Sequence, residues 1–115
     1  MKLKNSEAFD ALHVIIGAKE TGKLGFALAK NGRKLSEELV EYNDKRDELL
    51  EKYGKNNGGG EYSLTNEAAR KFNDELQLYA SLEIEFEPMT VEEEVFYGGN
   101  LTADQMYVLM WMVKE

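Results

Sequence analysis

The residues whose spacing carries the most recognisable chemistry are Gly17-Ala18-Lys19-Glu20-Thr21-Gly22-Lys23-Leu24. They match the phosphate-cradling loop G-x-x-x-x-G-K-[ST] at every position but the last, where a hydroxyl must bind the magnesium ion. Leu24 has no hydroxyl. Val14-Ile15-Ile16 in front is strand-like. A phosphate loop, however, sits in a parallel sheet beside a second apolar strand ending in a metal-binding aspartate, and the chain supplies neither. The segment is therefore read as a helix C-terminus and an inter-helix turn, and no cofactor is expected.

A second constellation is acidic. Glu83, Glu85 and Glu87 alternate with Leu82, Ile84 and Phe86, and Glu92, Glu93 and Glu94 follow. Alternate residues of a strand repeat at about 6.8 Å, roughly two axial phosphate steps of one DNA strand. A carboxylate row on that spacing can imitate a nucleic-acid backbone and enter a basic groove. The competing reading is a solvated strand face balanced by Lys2 and Lys4. A metal site is disfavoured, because calcium or magnesium ligands converge on one ion whereas this row diverges along an edge. His13, the only histidine, has no second histidine or cysteine with which to build a metal or acid–base pair. Met106, Met110 and Met112 with Trp111 suit either a core or an adaptable binding surface, since methionine repacks easily. Arg46 lies in an apolar stripe, so its stem should cover the core while its head reaches an acid. The expected partner-binding residues are Glu83, Glu85, Glu87, Glu92, Glu93, Glu94, Met110 and Trp111; no catalytic or metal-binding residue is expected.

The elements that position these groups follow from apolar spacing. Leu28, Leu35, Leu39, Tyr42, Arg46, Leu49 and Tyr53 recur mostly at steps of three and four, which predicts one long helix over 23–53. Gly32 inside it marks either a close neighbour or a bend at Asn31-Gly32. Residues 1–5 alternate as a short strand, and Asn5 or Ser6 opens a helix carrying Phe9, Leu12 and Ile15 or Ile16 that ends at Thr21-Gly22. A glycine-rich loop after Tyr53 is long for a helix connection, with Glu61–Leu64 briefly extended, which suits mobility or partner binding. Thr65 or Asn66 caps a helix whose Ala69, Phe72, Leu76 and Tyr79 face the long one. From 82 to 87 the period changes to two, and Pro88 closes that strand. Pairing it with residues 1–5 sets Lys2 and Lys4 against glutamates; residues near 95–97 offer a third strand. Thr90 with Glu93 and Thr102 with Gln105 have capping-box spacing. The last helix is apolar almost all round, hence deeply buried or partly reserved for another chain. The expected fold is α+β and mostly helical: a long central helix packed by an antiparallel helix and two shorter ones, with a small antiparallel sheet.

The 115 residues fit a single domain. There are no cysteines, which excludes disulfides and thiolate metal sites. No apolar run approaches the ~18 residues of a membrane span, and no signal-peptide core is present, so a cytoplasmic location is expected. The net charge of -8 is uneven: residues 1–60 carry 11 Lys/Arg against 10 Asp/Glu (+1), and residues 61–115 carry 3 against 12 (-9). Direct nucleic-acid binding needs a basic patch, which that half lacks. A protein partner with a basic surface suits such a field, and a homo-oligomer is compatible with the apolar final helix.

The opening Met1-Lys2-Leu3-Lys4-Asn5, Ala29-Lys30-Asn31, Tyr42 through Arg46 to Lys52-Tyr53-Gly54, Glu83-Ile84-Glu85-Phe86-Glu87-Pro88 and the closing Leu101-Thr102 helix resemble a family of small phage and prophage proteins of low-GC Gram-positive bacteria, a domain of unknown function. The resemblance spans nearly the whole chain through short, mainly structural motifs. It implies a phage origin and brings no catalytic residues. The functional expectation is a non-enzymatic acidic accessory protein that binds and inhibits a host protein, such as a nucleic-acid-binding defence enzyme. The alternative is a tail assembly factor or minor component of the phage particle.

Overall fold

The computed structural model describes residues 1–115. Its elements are β1 (Lys2–Lys4), α1 (Asn5–Gly17), α2 (Gly22–Glu38), α3 (Val40–Tyr53), β2 (Lys55–Gly58), β3 (Glu61–Ser63), α4 (Asn66–Ala80), β4 (Glu83–Glu85), α5 (Glu93–Tyr97) and α6 (Ala103–Val108), followed by a 3-10 turn at Met110–Met112. This is the mostly helical α+β fold expected. No helix is long and apolar enough to cross a membrane.

β1 and β4 pair antiparallel with Lys2 opposite Glu85, Leu3 opposite Ile84 and Lys4 opposite Glu83, the cross-strand match of opposite charges read from the alternation. The strand is shorter than the alternation over 82–87 because β1 has three residues, yet the main-chain pairing continues at both ends: Asn5 N–H donates to the Leu82 carbonyl at 2.8 Å and Phe86 N–H to the Met1 carbonyl at 2.9 Å. Leu3 points inward and joins Leu24, Ala27, Leu28, Leu35, Phe96 and Leu109 in one core of 17 buried residues.

The long helix is two helices. Its bend falls at Leu39 (φ -92°, ψ 1°), not at Asn31-Gly32. Leu39 still donates to Leu35 and accepts from Asn43, at 3.0 and 2.8 Å, so the chain turns without losing its ladder. The cause is packing: Leu35 and Leu39 are both 0% exposed and Tyr42, one turn on, still joins the main core, while the rest of α3 runs beside α4. Gly32 instead admits α1, since a Cβ there would lie 3.0 Å from Cγ2 of Ile15.

Smaller expectations also change. α1 opens one residue early, with Lys4 N–H donating to Oε1 of Glu7 at 2.9 Å, and closes at Gly17 rather than Thr21-Gly22. Residues 93–97 form helix α5 rather than a third strand: Glu93 and Glu94 favour a helix N-terminus and Phe96, 0% exposed, must turn into the core. That helix begins without a side-chain cap, so the Thr90–Glu93 box is not used, whereas Thr102 and Gln105 make both bonds of theirs. The final helix breaks at Leu109, because Leu109 and Met112 both bury fully and Val113 returns to bridge Val91 in parallel.

The α3–α4 pair forms an arm tipped by the β2–β3 hairpin, which gives structure to the glycine-rich loop. The radius of gyration is 16.2 Å, against about 13 Å for a compact chain of this length, and the longest dimension is 46 Å. A polar cluster ties the arm: Glu75 accepts from Nζ of Lys52 at 2.9 Å and from the Tyr53 hydroxyl. Those two bonds, Tyr53 first, hold the Glu75 carboxyl below the ordinary carboxylate value, and Glu75 in turn raises Lys52 and Tyr53. A lowered carboxyl stabilises above its unfolded value and loses that as pH falls through the folded one. A raised lysine or tyrosine stabilises below its unfolded value and loses that as pH rises through the folded one. The cluster should therefore hold between the carboxylate range and the lysine–tyrosine range. Amide-exchange protection of α3 and α4 should drop at the acid end in the parent protein, and Glu75→Gln should flatten that limb; an unchanged acid limb would exclude the cluster as its cause.

Candidate protein-binding site

Glu83 and Glu85 stand exposed on β4, and Glu87 follows beyond the strand. Lys4 and Lys2 lie opposite the first two, yet the only ion pair here joins Glu85 to the amino group of Met1 at 3.7 Å. Lys34 reaches this segment but donates to the main-chain carbonyl of Glu87, at 2.9 Å, leaving its carboxylate free. Glu92, Glu93 and Glu94 open α5; Glu92 pairs with Lys114 at 3.4 Å, and Glu93 and Glu94 have no ion pair. The six carboxylates thus fall in two groups, a strand edge and a helix start, rather than in one continuous row.

Met110 and Trp111 lie in the closing 3-10 turn. Trp111 is half-buried and meets Phe86 edge-on, with ring centroids 5.2 Å apart and planes at 89°. Phe86 is buried whereas Glu85 and Glu87 on either side of it are exposed, so Trp111 packs on the core face of this segment, on the side away from the carboxylates. Its other neighbours form an open groove of about 480 Å³ floored by Leu3 and Val108, with Tyr107 and Met110 on one side and Glu7 and Asp10 on the other. Tyr107 is 84% exposed and Met110 49%. Sequence reading missed Glu7, Asp10 and Tyr107. The signal was there: Glu7 and Asp10 are three apart and therefore share one face of α1.

A second hollow of about 530 Å³ lies between the start of α2 and residues 89–95, with Lys23, Phe26, Glu92 and Lys114 at its walls. Its charges are of both signs. The phosphate-loop-like segment borders it as an inter-helix turn: Val14–Ile16 belong to α1, and Gly22 (φ +65°) starts α2. Glu20 from this turn accepts the Asn100 N–H, and a Cβ at Gly99 would lie 2.5 Å from Cδ2 of Leu24, so the turn docks on 98–100 only because residue 99 has no side chain.

The remaining candidates are structural. His13 is exposed, stacked on Phe9 at 4.2 Å, with Nδ1 2.9 Å from the Phe9 carbonyl. The Arg46 guanidinium lies over the Phe9 ring, 5.3 Å from its centroid, and not in an ion pair as the stripe suggested. Burial raises the Tyr42 hydroxyl above its ordinary value, opposed by Arg46 and aided by Asp10. No three carboxylates or imidazoles converge closely enough to hold a metal ion. No protein-family model, curated protein or solved structure matches the chain.

Proposed function

We propose that this is a non-enzymatic acidic binding protein, a phage accessory factor that docks on a basic surface of a host protein, a nucleic-acid-binding defence enzyme, and inhibits it. The observation that carries this reading is the strand edge. Glu83 and Glu87 are exposed and in no ion pair, on the face away from half-buried Ile84 and buried Phe86, so free carboxylates stand clear of the core where a basic surface can reach them. The phage origin comes from the resemblance of the motifs.

The test is inhibition of an RNA-guided nuclease of a Gram-positive host in vitro. The protein should block cleavage, the block should weaken as salt rises, and Glu83→Gln, Glu85→Gln and Glu87→Gln together should raise the half-inhibitory concentration roughly tenfold or more. Cleavage that proceeds unchanged at micromolar protein, or inhibition indifferent to the three substitutions, would defeat the reading. A second reading, a phage-particle assembly factor, draws on Leu78 and Leu82, which are 66% and 56% exposed at the end of α4. A monomer by light scattering that is absent from virions and assembly intermediates would remove it.

A further inference from the structure

We infer that the groove between α1 and the C-terminal turn binds a cationic amphipathic segment of the partner, with large apolar side chains flanked by Lys or Arg. The inference rests on the reading of the chain as an acidic protein-binding factor, and adds the site and the chemistry it selects.

Three observations converge there. The first is shape. The hollow of about 480 Å³ is within the ~300–1,000 Å³ of sites that enclose a small ligand, enough for a few side chains, and its floor of Leu3 and Val108 is apolar. The second is what stands at the rim. Tyr107 is 84% exposed and Met110 49%: tyrosine offers contact area at low entropic cost, and methionine adjusts to the shape it meets. Neither exposure serves the core.

The third is charge. Glu7 and Asp10 are the only charged residues lining the groove, and neither is in an ion pair. Glu7 is held in place by the Lys4 N–H, which occupies one of its oxygens at 2.9 Å. An apolar segment entering here gains by carrying a cation toward α1. The other large hollow, with Lys23 and Lys114 at its wall, offers a cationic segment no such match. An anionic segment is disfavoured in the groove for the same reason, since specificity comes from the wrong charge as much as from the right one.

The probe is a synthetic amphipathic leucine–lysine helix of about four turns, titrated into the 15N-labelled full chain, with its leucine–glutamate counterpart as control. The lysine peptide should shift the amides of Glu7, Asp10, Tyr107 and Met110, and the glutamate peptide should not. Glu7→Gln with Asp10→Asn should weaken binding about fivefold and Tyr107→Ala about tenfold. Glutamine at position 7 keeps the acceptor that the helix start uses, and Tyr107 has little contact with the core, so both variants should keep the parent spectrum elsewhere. Shifts confined to Glu83–Glu94 would overturn the groove while leaving the acidic-binding reading standing. Equal binding of the two peptides would overturn the charge selection. No shift with the lysine peptide would overturn the inference outright, and the fate of the broader reading would then be decided separately by the nuclease assay on the strand-edge variant.

Discussion

Asn31→Leu should lower the unfolding free energy by about 3 kcal/mol, seen as a lower urea midpoint at an unchanged slope. Asn31 is 0% exposed. Its Oδ1 accepts the Met89 N–H at 2.7 Å and its Nδ2 donates to the Met89 carbonyl at 2.9 Å, so one side chain clamps both main-chain groups of the residue after Pro88. Leucine fills the space and strands both groups, and an unsatisfied buried donor or acceptor costs about 1–3 kcal/mol. Asn31→Asp gives a signed check. Only a protonated aspartate can donate to the Met89 carbonyl, and burial disfavours the charge, so its folded pKa should rise above the unfolded value of about 3.9. Stability of this variant should then be greatest below that unfolded value and should fall as pH rises through the folded one. Equal loss at pH 3 and pH 7, relative to the parent at each pH, would exclude the clamp. The clamp also has a functional side, because it fixes the segment leading to Val91, whose bond from Lys114 N–H at 2.8 Å holds the C-terminal turn that carries Trp111.

Asn31 also shows what the sequence conceals. Next to Gly32 in a helical pattern it looks like a weak point, because both residues are poor helix formers. In the fold it is the buried polar contact of α2 with a segment 58 residues away. Helix and strand periods were legible because burial on one face imposes them: Leu28, Leu35 and Leu39 all lie in the core, and Leu3 faces inward with Lys2 and Lys4 outward. The pairing of β1 with β4 was legible too, because the charges alternate in complementary order. What stayed hidden depends on neighbours distant in sequence. The bend at Leu39 lies among the last core residues, with Tyr42 one turn on, as α4 takes over as the partner of α3. The turn of Val95-Phe96-Tyr97 into a helix follows from burial of Phe96, against its local strand preference. At the candidate site, Met110 and Trp111 were visible as types, but the groove they share with Glu7 and Asp10 needs both ends of the chain in one place.

Phe72→Ala should melt the arm and leave the body folded. Phe72 and Leu49, 6% and 3% exposed, are buried apolar residues that do not belong to the 17-residue core; they lie on α4 and α3, which pack against each other. Truncating a buried phenylalanine typically costs about 3–5 kcal/mol, and because Phe72 lies outside the main core the loss falls on the packing of α4 against α3. Proteins open in contiguous units whose stability reflects local burial. Amide protection should thus fall by roughly a hundredfold or more in α3, α4 and the hairpin, since each 1.4 kcal/mol is a factor of ten. Protection in α1 and α2 should stay close to that of the parent. The groove of Leu3, Glu7, Tyr107 and Trp111 draws none of its lining from the arm, so F72A should still bind the leucine–lysine peptide within about twofold of the parent. Uniform loss of protection, or loss of the peptide along with the arm, would mean that body and arm fold as one cooperative unit and that the bend at Leu39 is only a change of direction.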